Sequence, residues 1–179
     1  MKKTILLPTT ILALVLASCS EKEETGKTTS DGDSPLSHLV LDTAPDKPSE
    51  IATIRSSAKP GETVTFQGRV MGSEPVFMDG RAVMIMGDPK KMTPCNEKHD
   101  DECPTPWDVC CDDPDVVTAS IVTVQAVDDS GKPVKGSLKG LSGLKELDSV
   151  TVTGVIAETS NEENMVVNAT GLFVHTKKN

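Results

Sequence analysis

Alternation of apolar and polar residues predicts a series of short β-strands in the last two-thirds of the chain. Between Thr63 and Met71, the residues Val64, Phe66, Gly68 and Val70 share one face, which is the period of two expected of a half-buried strand. Turn residues separate this segment from similar ones further along. The five predicted strands are Thr63–Met71, Ala82–Met86, about Thr118 to Val127, Ser149–Ala157 and Asn164–Val174.

Two short helices are predicted beside these strands. The first has Ser49 as N-cap and Glu50 in its first turn, and runs through Ile51 and Ile54. The second lies between Leu138 and Leu147, where leucines recur every three residues. Five strands with a short helix between the third and fourth are the layout of an OB-fold, so we expect a mainly β, five-stranded, OB-like Greek-key barrel.

Two stretches of this layout resemble bacterial periplasmic OB-fold proteins. The stretch 60–70, PGETVTFQGRV, looks like their first strand, and the pairing of 147–154, LDSVTVTG, with a final Val-rich strand is similar as well. The resemblance covers 60–174 and implies the fold rather than an activity. A long insert, 87–116, lies between the second and third strands, where that group has a short turn.

The N-terminus has the features of an exported lipoprotein. Lys2 and Lys3 precede an apolar run that is too short to span a bilayer, and the run ends in Leu16-Ala17-Ser18-Cys19. This ending resembles the lipobox of bacterial lipoproteins, which implies cleavage after residue 18 and acylation of Cys19. Ser20 then favours sorting to the outer membrane, facing the periplasm.

This N-terminus sets the predicted domain organisation. Residues 1–18 are the signal peptide, and 19–48 are the acylated cysteine and a flexible tether, because the segment is too polar to bury a core. Residues 49–179 are the OB-like domain.

Charge and composition exclude some partners. The chain has 18 Lys and Arg against 27 Asp and Glu, a net charge of −9, and without Lys2 and Lys3 the balance is 16 against 27, or −11. Nucleic acid is therefore an unlikely partner, since affinity for phosphates depends on Lys and Arg. Trp107 and three Phe are the only aromatic residues, too few for base-stacking platforms.

The insert carries four cysteines, Cys95, Cys103, Cys110 and Cys111. An exported protein meets an oxidising compartment, and a loop with little core benefits from cross-links, so the first interpretation is two disulfides. A bond between the adjacent Cys110 and Cys111 is disfavoured by ring strain. Cys95–Cys110 with Cys103–Cys111, and the crossed alternative, stay open. The string CPTPWDVCC at 103–111 resembles one in uncharacterised exported proteins with OB-like domains, which implies a family but no activity.

The same cysteines favour a second interpretation, a metal site. Four thiolates, or three with His99, can complete a tetrahedron around zinc or copper. Five of the seven methionines (Met71, Met78, Met84, Met86 and Met92) precede the insert cysteines, and thioethers suit Cu(I). Packing of these methionines in the barrel is the competing explanation.

The function expected from these observations is non-catalytic. We find no nucleophile with a base and an orienting group, because His38, His99 and His175 fall in the tether, the insert and the tail. The first hypothesis is a lipid-anchored envelope module that binds a protein or glycan partner through a disulfide-stabilised loop bearing an exposed Trp107. The alternatives are a thiolate and thioether metal-binding protein for zinc or copper and, against the charge, a nucleic-acid-binding OB-fold.

Overall fold

Five strands of the chain close into a barrel, which confirms the predicted mainly β, OB-like architecture. The structure, a computed structural model, describes residues 34–98 and 103–175. The elements are β1 (Ser49–Glu50), α1 (Ile51–Ser57), β2 (Thr63–Arg69), β3 (Val83–Gly87), α2 (Pro114–Ser120), β4 (Ile121–Gln125), β5 (Ser149–Ile156) and β6 (Val166–His175).

The strand pairing defines the ring. Strand β2 is antiparallel to β3 and β5, β3 is antiparallel to β4, and β5 is antiparallel to β6. The parallel pair β4 and β6 completes the barrel, while β1 adds a short parallel strand on the outer side of β2. The core lies inside this ring, where alternate residues such as Phe66, Met84, Val124 and Val152 are fully buried.

The predicted strands lie close to the observed ones, but the segment before β4 differs. Residues 118–120 were expected in the third strand and instead end the helix α2. Asp113 caps this helix by accepting hydrogen bonds from the backbone N–H of Asp115 and Val116, and Pro114 occupies its first turn. Similarly, Ser49 belongs to β1 and Glu50 is the residue at the N-cap of α1, without a side-chain cap.

The short helix between the third and fourth strands of the ring is a 3-10 turn, Leu141–Gly143. An α-helix cannot continue there because Gly140, Ser142 and Gly143 all have positive φ angles. The leucines are nevertheless core residues, since Leu138, Leu141 and Leu144 are buried.

The folded part starts earlier than residue 49. Leu36 and Leu39 flank or end a 3-10 turn, Ser37–Leu39, and are 1% and 2% exposed in the barrel core. The Leu41 N–H donates to the Leu172 carbonyl of β6 at 2.8 Å. The end of the expected tether is thus part of the domain, because it covers the β6 side of the barrel.

Among residues 34–98 and 103–175, none of the helices has the length and apolar character that crossing a membrane requires.

Candidate functional site

The insert is fastened to the barrel by its own small apolar cluster. Met71, Met92 and Val109 are at most 2% exposed and pack together, with Trp107, Val117 and Ile121 against them. The Gly72 N–H, just beyond β2, donates to the Trp107 carbonyl at 3.1 Å. The loop therefore has a packed base.

Hydrogen bonds hold the two arms of the insert side by side. The Cys95 N–H donates to the Asp108 carbonyl at 2.8 Å, and the Asn96 N–H donates to the Pro106 carbonyl at 3.0 Å. The Asp112 carboxylate accepts from the Thr93 N–H at 2.9 Å and pairs with Lys98 at 2.8 Å. Cys95 itself opens a 3-10 turn, Cys95–Glu97, and Glu97 forms an ion pair with Arg69 of β2.

This pairing brings three cysteine sulfur atoms together. The Sγ of Cys110 lies 3.7 Å from that of Cys95 and 3.9 Å from that of Cys111, and all three Sγ atoms lie within 4.8 Å of one another. Cys95 is buried, whereas Cys110 and Cys111 are exposed. No disulfide joins these four cysteines in the described part of the chain, since a disulfide requires a separation of about 2.05 Å.

Cys103 lies close to Cys110, in a second group of possible metal ligands. The Cys103 Sγ, the Cys110 Sγ and an Asp108 carboxylate oxygen lie within 4.8 Å of one another. The Thr105 hydroxyl is 3.2 Å from the Cys103 Sγ and 3.5 Å from the Asp108 carboxylate. Asp108 also accepts the Val109 N–H at 2.6 Å, so this carboxylate is positioned by the backbone.

Neighbouring groups shift the pKa values of Cys103 and Cys110 in opposite directions. Hydrogen bonding to Thr105, followed by Cys95 and Cys110, lowers the pKa of Cys103. Hydrogen bonding to Cys95 lowers the pKa of Cys110, but Cys111, burial and the Asp108 charge outweigh it and raise that pKa. The pKa of Lys98 is raised, chiefly by Asp112 and further by the Cys111 and Cys95 charges, so its ammonium group faces the cluster as a cation.

Trp107 differs from the expected exposed side chain. Its ring is half-buried and packs against both the barrel core and the insert cluster. The indole Nε1 is buried and has no hydrogen-bond partner among the described residues. Trp107 therefore packs between the insert and the barrel. Its role as a binding surface stays a prediction.

Most of the methionines that precede the insert cysteines are packed in the protein interior. Met84 and Met86 are fully buried inside the barrel, Met71 and Met92 form the base of the insert, and Met78 is 43% exposed. These positions leave the thiolates as the soft ligands that the insert offers.

Two of the remaining predicted site residues are not among those that the structure describes. Cys19 and His99 fall outside the described residues, so acylation and an imidazole ligand stay predictions. His38 hydrogen-bonds the Pro35 carbonyl, and His175 lies 2.8 Å from the Thr151 hydroxyl, so neither joins the cysteine cluster.

Three neighbours of the cysteines were not predicted from the sequence, namely Lys98, Thr105 and Asp108. Their proximity depends on the pairing of the two loop arms. Asp108 offers one signal in the sequence, because it lies two residues before Cys110.

Comparison with known proteins adds no relative. No protein-family model, no curated protein and no solved structure matches the chain. The chemistry of the site therefore rests on the chain's own residues.

Proposed function

We propose that this protein binds a single thiophilic metal ion, Zn(II) or Cu(I), through the cysteines of its insert. The supporting observation is the spacing of three cysteine sulfur atoms, within 4.8 Å of one another, on a loop that is held by packing and hydrogen bonds. The first of the two alternatives predicted from the sequence, a metal-binding protein, is thus favoured over the disulfide-stabilised binding module.

Two of the sulfur separations match the dimensions of a metal–thiolate site. A regular tetrahedron of sulfur atoms about 2.3 Å from Zn(II) has edges of about 3.8 Å. The separations of 3.7 Å and 3.9 Å around Cys110 lie on either side of that value, whereas a disulfide is little more than half as long. These two separations support the proposal of a metal–thiolate site.

The ligand set follows from position. Cys95, Cys110 and Cys111 form one group of possible ligands, and Cys103 forms a second group with Cys110 and Asp108. We assign the first three as thiolate ligands and Cys103 as the fourth. Thiolate ligands select Zn(II) and Cu(I) over the hard cations, which prefer oxygen. The Lys98 ammonium group offsets part of the negative charge that four thiolates would place on the loop.

The protein would carry out this binding at the bacterial envelope. The lipobox-like residues 16–19 support export and acylation of Cys19, with the barrel facing the periplasm at the outer membrane. The net charge of −9 continues to argue against nucleic acid as a partner.

Metal stoichiometry in cysteine variants tests the proposal. The full chain, exported to a bacterial periplasm and purified in detergent without added metal, is loaded anaerobically with Zn(II) or Cu(I) and its native mass is measured. We expect one metal ion per wild-type chain. Cys95→Ser and Cys110→Ser each remove a central ligand and should reduce the bound metal to a small fraction.

His38→Gln is the matched control, because His38 hydrogen-bonds Pro35 away from the insert, and it should bind metal fully. A His99→Gln variant tests the imidazole alternative. Metal retained by both cysteine variants would overturn the assigned ligand set. A wild-type chain isolated with two disulfides and unable to bind metal would restore the binding-module hypothesis.

A further inference from the structure

The cysteine cluster is asymmetric in its exposure. Cys95 is 2% exposed at the base of the insert, whereas Cys110 and Cys111 are exposed at its surface and Cys103 is half-buried. A ligand from another molecule therefore reaches a bound metal ion on the side of Cys110 and Cys111.

The insert is also held in place by contacts that do not involve the cysteine sulfur atoms. Its base is the buried cluster of Met71, Met92 and Val109. Its arms are joined by the backbone hydrogen bonds from Cys95 and Asn96, and the Asp112 carboxylate ties Thr93 to the loop. Small metal-dependent domains lack such a core and unfold when the metal leaves. Here the barrel and the base of the loop supply the folding free energy.

From these two features we infer that the metal is exchangeable cargo, which passes to a thiolate-bearing acceptor protein through Cys110 and Cys111. The inference rests on the proposed metal binding. Acceptor thiolates would replace the insert thiolates one at a time, beginning with the exposed Cys111 and Cys110 and ending with the buried Cys95, so that each metal–sulfur bond that forms replaces one that breaks. Each acceptor thiol gives up one proton and each released cysteine takes one up, and the oxidation state of the metal is unchanged throughout.

Charge beside the exposed pair indicates what kind of acceptor fits. Asp113 and Asp115 are exposed directly after Cys111, on the first turn of α2. The neighbouring Asp112 is paired with Lys98 instead, so its charge is offset by that ammonium group. An acceptor with basic side chains around its thiolates therefore complements this edge of the loop, and such complementarity raises the rate of encounter.

Transfer kinetics test the inference. The full chain loaded with one Zn(II) is mixed with a synthetic peptide that carries a Cys-x-x-Cys pair flanked by lysines, and metal transfer is followed by stopped-flow. We expect the rate to rise in proportion to peptide concentration, since the acceptor takes part in the exchange. We also expect the metal-free chain to keep the circular dichroism of the wild-type barrel.

A charge variant separates recognition from metal binding. Asp113→Asn with Asp115→Asn should bind Zn(II) as wild type but show a severalfold lower second-order rate constant at low salt, with the difference lost at high salt. Asparagine retains the capping ability of Asp113. The control is Asp129→Asn, in the exposed turn after β4.

The outcomes distinguish the cargo inference from the proposed metal binding. A chain that binds no metal refutes both. A chain that binds one Zn(II) but releases it at a rate independent of peptide concentration, or that unfolds without metal, keeps the binding function and overturns the cargo inference.

Discussion

At the scale of single residues, the Thr105 hydroxyl sets the protonation of one thiol in the cluster. It lies 3.2 Å from the Cys103 Sγ and is the main cause of that thiol's lowered pKa. The Cys110 pKa is raised instead. In the metal-free protein, Cys103 is therefore present as thiolate at lower pH than Cys110, and thiolates are the reactive form.

Thr105→Val removes the hydroxyl and should raise the Cys103 pKa. The thiolate fraction at a pH below that pKa then falls, so the alkylation profile of Cys103 with iodoacetamide should move to higher pH. Peptide mass spectrometry of the metal-free chain measures the profile. Thr105→Ser keeps the hydroxyl and should behave as wild type, and an unchanged profile in Thr105→Val would show that the hydroxyl has no such effect.

At the scale of elements, the base of the insert depends on buried methionine. Met92 is 2% exposed against Met71 and Val109. Met92→Ala should lower the free energy of unfolding by about 2–5 kcal/mol, since it removes packed atoms and leaves a cavity. Urea unfolding followed by circular dichroism measures the change.

Met78→Ala is the matched control for this prediction. Met78 is 43% exposed, so its truncation should change the free energy of unfolding by about 0.5 kcal/mol or less. Equal losses in the two variants would contradict the structure of the insert base.

The sequence predicted the barrel strands well because each strand has one face in the core, and that face imposes a period of two. It predicted α2 poorly, although Asp113-Pro114 is a helix-start signal, because the β-branched residues after Pro114 favour a strand. Burial of Leu36 and Leu39 was not predictable, since it depends on a barrel wall contributed by β6. The convergence of Cys95 with Cys110 likewise depends on the pairing of two loop arms that are distant in sequence.

At the scale of the whole molecule, the domain begins where the predicted tether was expected to continue. Leu36 is already buried in the core, so the segment between Cys19 and the barrel is shorter than the predicted 19–48. In the predicted lipoprotein, this shorter segment would limit how far the barrel can lie from the membrane.

Cys19→Ala tests the predicted anchor. We expect the wild-type exported chain to fractionate with the outer membrane, and its mass to exceed that of the chain starting at Cys19 by the mass of attached acyl groups. The Cys19→Ala variant lacks the acylated thiol and should not gain this mass. A wild-type chain that stays in the soluble periplasmic fraction would contradict the lipoprotein prediction.

The most direct test of the central claim is the intact mass of the exported wild-type chain, measured in native and in denatured form. The account predicts a native mass that includes one metal ion and a denatured mass with the four insert thiols reduced. A denatured mass about four units lower, as two disulfides require through the loss of four hydrogens, with no metal in the native form, would contradict it.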